Sequence, residues 1–170
     1  ANAGLKLIQP REPDHKYFAS HRDGRFYLRT NDKAKNYRVV TAPVDQPSKE
    51  NWQEHIAHDP AVKIEEFEPF KSHDVLAEKF NGLDRIRIVN AADKTSHAID
   101  LPEPAYSMGI DANVEFATTV LRFHYQSLVS PFAVFNYNMA TRKRTLLKQV
   151  EVPGYDPTRY QSERIFATAS

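Results

Sequence analysis

Tyr17-Phe18-Ala19-Ser20-His21-Arg22-Asp23-Gly24-Arg25-Phe26-Tyr27-Leu28-Arg29-Thr30 reads as a β-hairpin. An Asp-Gly pair between two aromatic-rich runs is a strong short-range signal for two antiparallel strands joined by a tight turn. Working outward, residues 37–42 form a third alternating run that ends at Pro43, which has no N–H to give to a central ladder. Residues 52–56 supply a fourth run. The segment 48–58 carries the only helical cue, a Ser48 cap, and is expected as a loop running into that strand.

The same order recurs. Residues 63–67, 73–79, 84–89 and 96–101 give four more strands, with Asn81-Gly82 as the turn between the second and third. Asp84-Arg85-Ile86-Arg87-Ile88-Val89 alternates as a half-buried strand should. Residues 106–110, 118–125, 132–137 and 144–150 give a third set. The second strands begin near Arg25, His73 and Thr118, a spacing of roughly 45–48 residues, and four strands per unit at that period is the signature of propeller blades. The expected fold is therefore all-β: about three four-stranded blades of a β-propeller, as an open fragment. The blades are expected at 13–58, 59–103 and 104–152. Residues 1–12 are expected to hold the last strand of a preceding blade, at Leu5–Gln9, and residues 153–170 an exit strand.

Composition agrees with a globular β protein. Of 170 residues 41% are hydrophobic and 26% charged, with 10 Phe, 8 Tyr and only 5 Gly. A net charge of +1 gives no case for a nucleic-acid or membrane surface. Absence of Cys removes disulfides and thiolate chemistry and is compatible with a reducing, cytoplasmic compartment.

Few residues argue for chemistry. The chain has no Gly-rich phosphate loop and no G-x-S-x-G elbow, so no catalytic, cofactor-binding or metal residue is assigned and no cofactor is expected. His55 and His58, three apart, would share a metal only on a helix, and His15 and His21 add no better spacing. Glu66 and Glu68 are expected on one solvated strand face, with Glu65 pointing to the other. Arg142-Lys143-Arg144 reads as a hairpin tip, and the neighbouring aromatics Phe132, Phe135 and Tyr137 as blade core.

Several runs together resemble the propeller of oligopeptidase B (protease II), a branch of the prolyl oligopeptidase family of serine peptidases. They are residues 26–31, 34–39 and 42–45, Leu101-Pro102-Glu103-Pro104-Ala105-Tyr106, Tyr137-Asn138-Met139-Ala140-Thr141, Gly154-Tyr155-Asp156-Pro157, and 160–164 followed by 167–169. The resemblance runs from about Asp14 to the C-terminus and implies the last three blades of a seven-bladed propeller that caps an α/β-hydrolase domain. It also implies cleavage of short peptides after Arg or Lys, with the propeller excluding large folded substrates. The partners it implies are that hydrolase domain, absent from this segment, and short basic peptides. Arg159, Tyr160, Glu163 and Arg164 are the candidate interdomain contacts. The competing reading is a free-standing interaction module completed by oligomerisation, and open sheet edges are expected to self-associate under either reading.

Overall fold

The protein, a computed structural model, is described for residues 7–168. Among these, twelve strands form three four-stranded antiparallel sheets. The first blade is β1 (Tyr17–Arg22), β2 (Arg25–Thr30), β3 (Arg38–Pro43) and β4 (Gln53–Ile56). The second is β5 (Val62–Pro69), β6 (His73–Phe80), β7 (Leu83–Asn90) and β8 (Ser96–Ala98). The third is β9 (Tyr106–Ile110), β10 (Val120–Ser127), β11 (Ala133–Asn138) and β12 (Arg144–Gln149). Strand order follows the sequence in every sheet, so each blade is a meander.

The two hairpin signals take the geometry that their residues demand. Asp23 and Gly24 both have positive φ, 49° and 73°, and so do Asn81 and Gly82, 50° and 74°. Two consecutive left-handed residues match the twist of the flanking strands, which is why Asn or Asp followed by Gly occupies both corners. The segment after Pro47 is a single 3-10 turn, Lys49–Asn51, that leads into β4.

The middle blade is buried on both faces. Leu76 and Val89 face the first blade, packing with Tyr27, Val39, Ile64 and Phe67. Their neighbours Val75, Ile86 and Ile88 face the third, packing with Met108, Leu121, Phe123 and Tyr125. β7 is thus more than the half-buried strand expected, because it lies between two sheets. Each such aliphatic side chain contributes about 1.5–3 kcal/mol on burial.

Three local expectations give way to the structure. Glu65 does not point to the face opposite Glu66. The β5–β6 register skips from Ile64 to Glu66, so Glu65 sits in a bulge, exposed like Glu66. That extra residue is what brings Ile64 and Phe67, three apart, to the same core. Of the expected strand Leu5–Gln9, Leu5 and Lys6 lie outside the described residues, and Leu7–Gln9 runs as coil and bend. The exit segment likewise runs from residue 160 to 168 with no ladder partner.

Candidate functional site

The two ends of the blades carry different connections. One end holds the links between successive blades and the turn between the second and third strand of each. The other end holds the remaining hairpin turns. The C-terminal segment lies across the first of these ends, and the residues that hold it there define the candidate site.

The segment starts with a turn in which Gly154 takes φ 74°. The 3-10 turn Pro157–Arg159 follows, capped by Asp156, whose carboxylate accepts from the Thr158 N–H at 3.0 Å. Tyr155 donates its hydroxyl to the Val129 carbonyl in the β10–β11 turn at 2.6 Å. Farther on, the Arg164 guanidinium donates to the Asn81 carbonyl in the β6–β7 turn. The segment therefore runs from the third blade to the second.

Glu103, flanked by two prolines in the link between those blades, is the hub of this path. It accepts from the Tyr125 hydroxyl at 2.8 Å and from the Ser130 hydroxyl. Burial would raise its carboxyl, but the hydroxyls of Ser127, Ser130, Tyr125 and Ser162 more than offset that and hold it below the ordinary carboxylate value. Burial, reinforced by that carboxylate, pushes Tyr125 up to about 12. Glu103 thus ties β10 to the β10–β11 turn; Ser162 of the C-terminal segment influences the carboxylate, but its buried Oγ, like Glu103 Oε2, makes no hydrogen bond. The run Pro102-Glu103-Pro104 was visible in the sequence; its convergence with serines far along the chain was not.

Of the four residues expected as interdomain contacts, three are exposed, Arg159, Tyr160 and Glu163, and one, Arg164, is held by a blade turn. Arg164 is engaged by the blades and lies over the Phe166 ring at 5.0 Å, while Tyr160 stacks on Tyr155 with centroids 5.5 Å apart. Arg159 and Glu163 are exposed. Glu163 only accepts from Gln161, at 3.2 Å, and the Arg159 side chain has no partner among the described residues. Neither side chain bonds to a blade.

At the same end, a cleft of about 600 Å³ opens between the first and second blades. Its wall holds the buried Glu78, which takes Arg85 at 2.6 Å on one oxygen and Arg87 at 2.6 Å on the other. Deeper, Arg22 meets Asp74 at 2.7 Å and His55 meets the other oxygen of Asp74 at 2.7 Å. His55 is thereby committed to a carboxylate, and the His58 ring lies 3.4 Å from the Asn36 N–H. Among the described residues no three His, Asp or Glu side chains converge on a metal position.

The sequence matches the profile described as "Prolyl oligopeptidase, N-terminal beta-propeller domain" over residues 1–150. The chain belongs to the prolyl oligopeptidase family. It is 42% identical over 164 residues to dipeptidyl aminopeptidase BI of Pseudoxanthomonas mexicana, an alignment covering 96% of this chain and 22% of that protein. It is 27% identical to protease 2 of Moraxella lacunata, covering 96% of this chain and 23% of the other. The structure of oligopeptidase B from Leishmania major superposes with a TM-score of 0.89 at 27% identity, covering 99% of this chain and 25% of that one. The chain thus spans a quarter or less of the length of these relatives. The family profile ends at residue 150, yet the superposition on oligopeptidase B takes in nearly the whole chain, so the strapped segment is part of the shared fold.

Proposed function

We propose that this chain is the non-catalytic propeller portion of a serine oligopeptidase that cleaves short peptides after Arg or Lys, the propeller limiting which substrates reach the catalytic part. The observation that carries this reading is the course of residues 155–164. They leave the third blade and cross one blade end, where Arg159 and Glu163 are exposed and bond to no blade residue, free to meet a catalytic part. A propeller that meets the catalytic part at this end screens substrates by size, because a folded protein cannot enter between the blades. A cytoplasmic location belongs to the same reading and rests on the resemblance and the lack of Cys.

The 42% identity to a protein named dipeptidyl aminopeptidase supports a second reading, removal of dipeptides from a free N-terminus. The test assays the intact protein that carries this segment on two substrates with Arg before the scissile bond. One has a blocked N-terminus and one is a dipeptide amide with a free N-terminus. Cleavage of the blocked substrate supports the endopeptidase. Cleavage of the free dipeptide amide alone replaces it by the second reading. Cleavage of neither sinks both.

A further inference from the structure

The outer rim between the second and third blades, away from the strapped end, gathers two arginines whose guanidiniums have no polar partner among the described residues. The turn from β11 to β12 is rigid: the Asn138 carboxamide accepts from the Ala140 and Thr141 N–H groups at 3.1 and 2.8 Å, and Asn138 donates its own N–H to the Lys143 carbonyl at 2.9 Å. Arg142 sits at its tip with φ 61° and donates its N–H to the Asn138 carbonyl at 2.8 Å. With Arg144, Tyr137, Ala98, Ile99 and Asp100, Arg142 lines a hollow of about 330 Å³.

Neither guanidinium has a hydrogen bond or ion pair among the described residues; Arg144 only lies over the Phe135 ring, at 5.1 Å. The Tyr137 side chain lines the hollow, and its hydroxyl makes no hydrogen bond among the described residues. Beside it stands His97, ring centroids 5.9 Å apart, with a buried Nε2 that has no partner. Burial, Arg142 and His73 all push the His97 ring toward its neutral form. Asp100, the one acid in the lining, is exposed and also acts on Tyr106 in the next blade. Two free guanidiniums against one exposed carboxylate leave the hollow positive.

We propose that this hollow binds a phosphate-type oxyanion, held by Arg142 and Arg144 with the Tyr137 hydroxyl as a further ligand. A planar guanidinium fork matches the oxygen edge of a tetrahedral anion.

The test is calorimetric titration of the intact protein with inorganic phosphate at fixed ionic strength. The expected result is one saturable site that sulfate competes for and acetate does not. It should weaken at least tenfold in the double variant Arg142→Ala, Arg144→Ala and persist in Lys143→Ala, because Lys143 lies outside the lining. Circular dichroism checks that the variants are folded; should the double variant fail that check, Arg142→Gln alone is held to the same comparison. No saturable site, equal binding in the arginine variant, or equal loss in Lys143→Ala overturns the proposal. Competition by acetate as strong as by sulfate overturns the phosphate class.

Discussion

The Arg22 guanidinium and the Asp74 carboxylate meet at 2.7 Å across the boundary between the first and second blades, with 4% and 0% of their side chains exposed. Arg22 also donates to the Phe70 carbonyl at 2.9 Å and the Tyr27 hydroxyl at 2.9 Å, and His55 takes the second oxygen of Asp74. The pair is a polar lock inside an apolar seam. Asp74→Ala leaves Arg22 buried without its counter-charge, and the expected loss is about 3–5 kcal/mol. Urea denaturation of the wild type and variant measures it. A loss below about 1 kcal/mol would show that water reaches the seam.

Acid acts on the same lock. Burial raises the Asp74 carboxyl, but the hydrogen bond from His55 and the charge of Arg22 outweigh it and hold the group below its ordinary value. A carboxyl depressed in the folded state stabilises the protein above its unfolded pKa, and the contribution is lost as pH falls through the folded value. Stability is therefore expected to drop below the ordinary carboxylate range, and less steeply in Asp74→Asn. Denaturation midpoints between pH 2 and 6 check the slope.

Glu68 behaves in the opposite sense. Burial, with Glu66 as a like-charged neighbour, pushes its carboxyl up to about 7. A raised acid favours folding while protonated, and this contribution is lost as pH rises through about 7. Glu68→Gln is expected to change little near pH 4 and to stabilise at pH 8 by on the order of 1–2 kcal/mol, since the side chain is only partly shielded. Melts of both proteins at the two pH values decide it; an equal gain at both would assign the effect to packing.

Gly82 and Gly24 form a controlled pair. Both have φ near 74°, so alanine at either position costs about 1 kcal/mol in backbone strain. A Cβ at Gly24 meets nothing within 4 Å, whereas one at Gly82 lies 3.3 Å from the Arg164 guanidinium. Gly82→Ala is therefore expected to loosen the C-terminal segment as well, and Arg164→Ala to loosen it without the strain. Limited proteolysis after residue 155 is the readout: faster in both of these variants and unchanged in Gly24→Ala.

What was legible in the sequence was whatever is local. The Asp23-Gly24 and Asn81-Gly82 corners set two hairpins, and the period of the strands set three four-stranded sheets. Relations across blades were not legible. Asp74 reads as one polar residue of a strand, and only stacking places Arg22 and His55 on it. Glu65 reads as an alternating position, because nothing local marks the bulge that Phe67 requires to reach the core. Of the candidate interdomain set, the sequence grouped Arg159, Tyr160, Glu163 and Arg164 by proximity along the chain. It could not separate Arg164, which a blade turn engages, from Arg159, Tyr160 and Glu163, which are left exposed. The hollow at Arg142 was hidden for the same reason, since Ala98, Ile99 and Asp100 arrive from another blade.

The outermost strand of the third blade has an open edge. Every residue of β12 is exposed, including Leu146 at 51% and Leu147 at 47%. A bare strand edge with apolar side chains templates pairing. The isolated 170-residue chain is expected to self-associate as concentration rises, and Leu147→Lys to suppress it. Light scattering over a concentration series measures both; a monomer throughout would contradict the expectation.

The central claim is that these blades serve a serine peptidase without supplying its nucleophile. The most direct measurement labels the intact protein with a serine-directed fluorophosphonate and locates the modified residue by peptide mass spectrometry. The account expects a single label, outside residues 1–170, that abolishes hydrolysis of the Arg substrate. A stoichiometric, inactivating label on a serine within these 170 residues would contradict it.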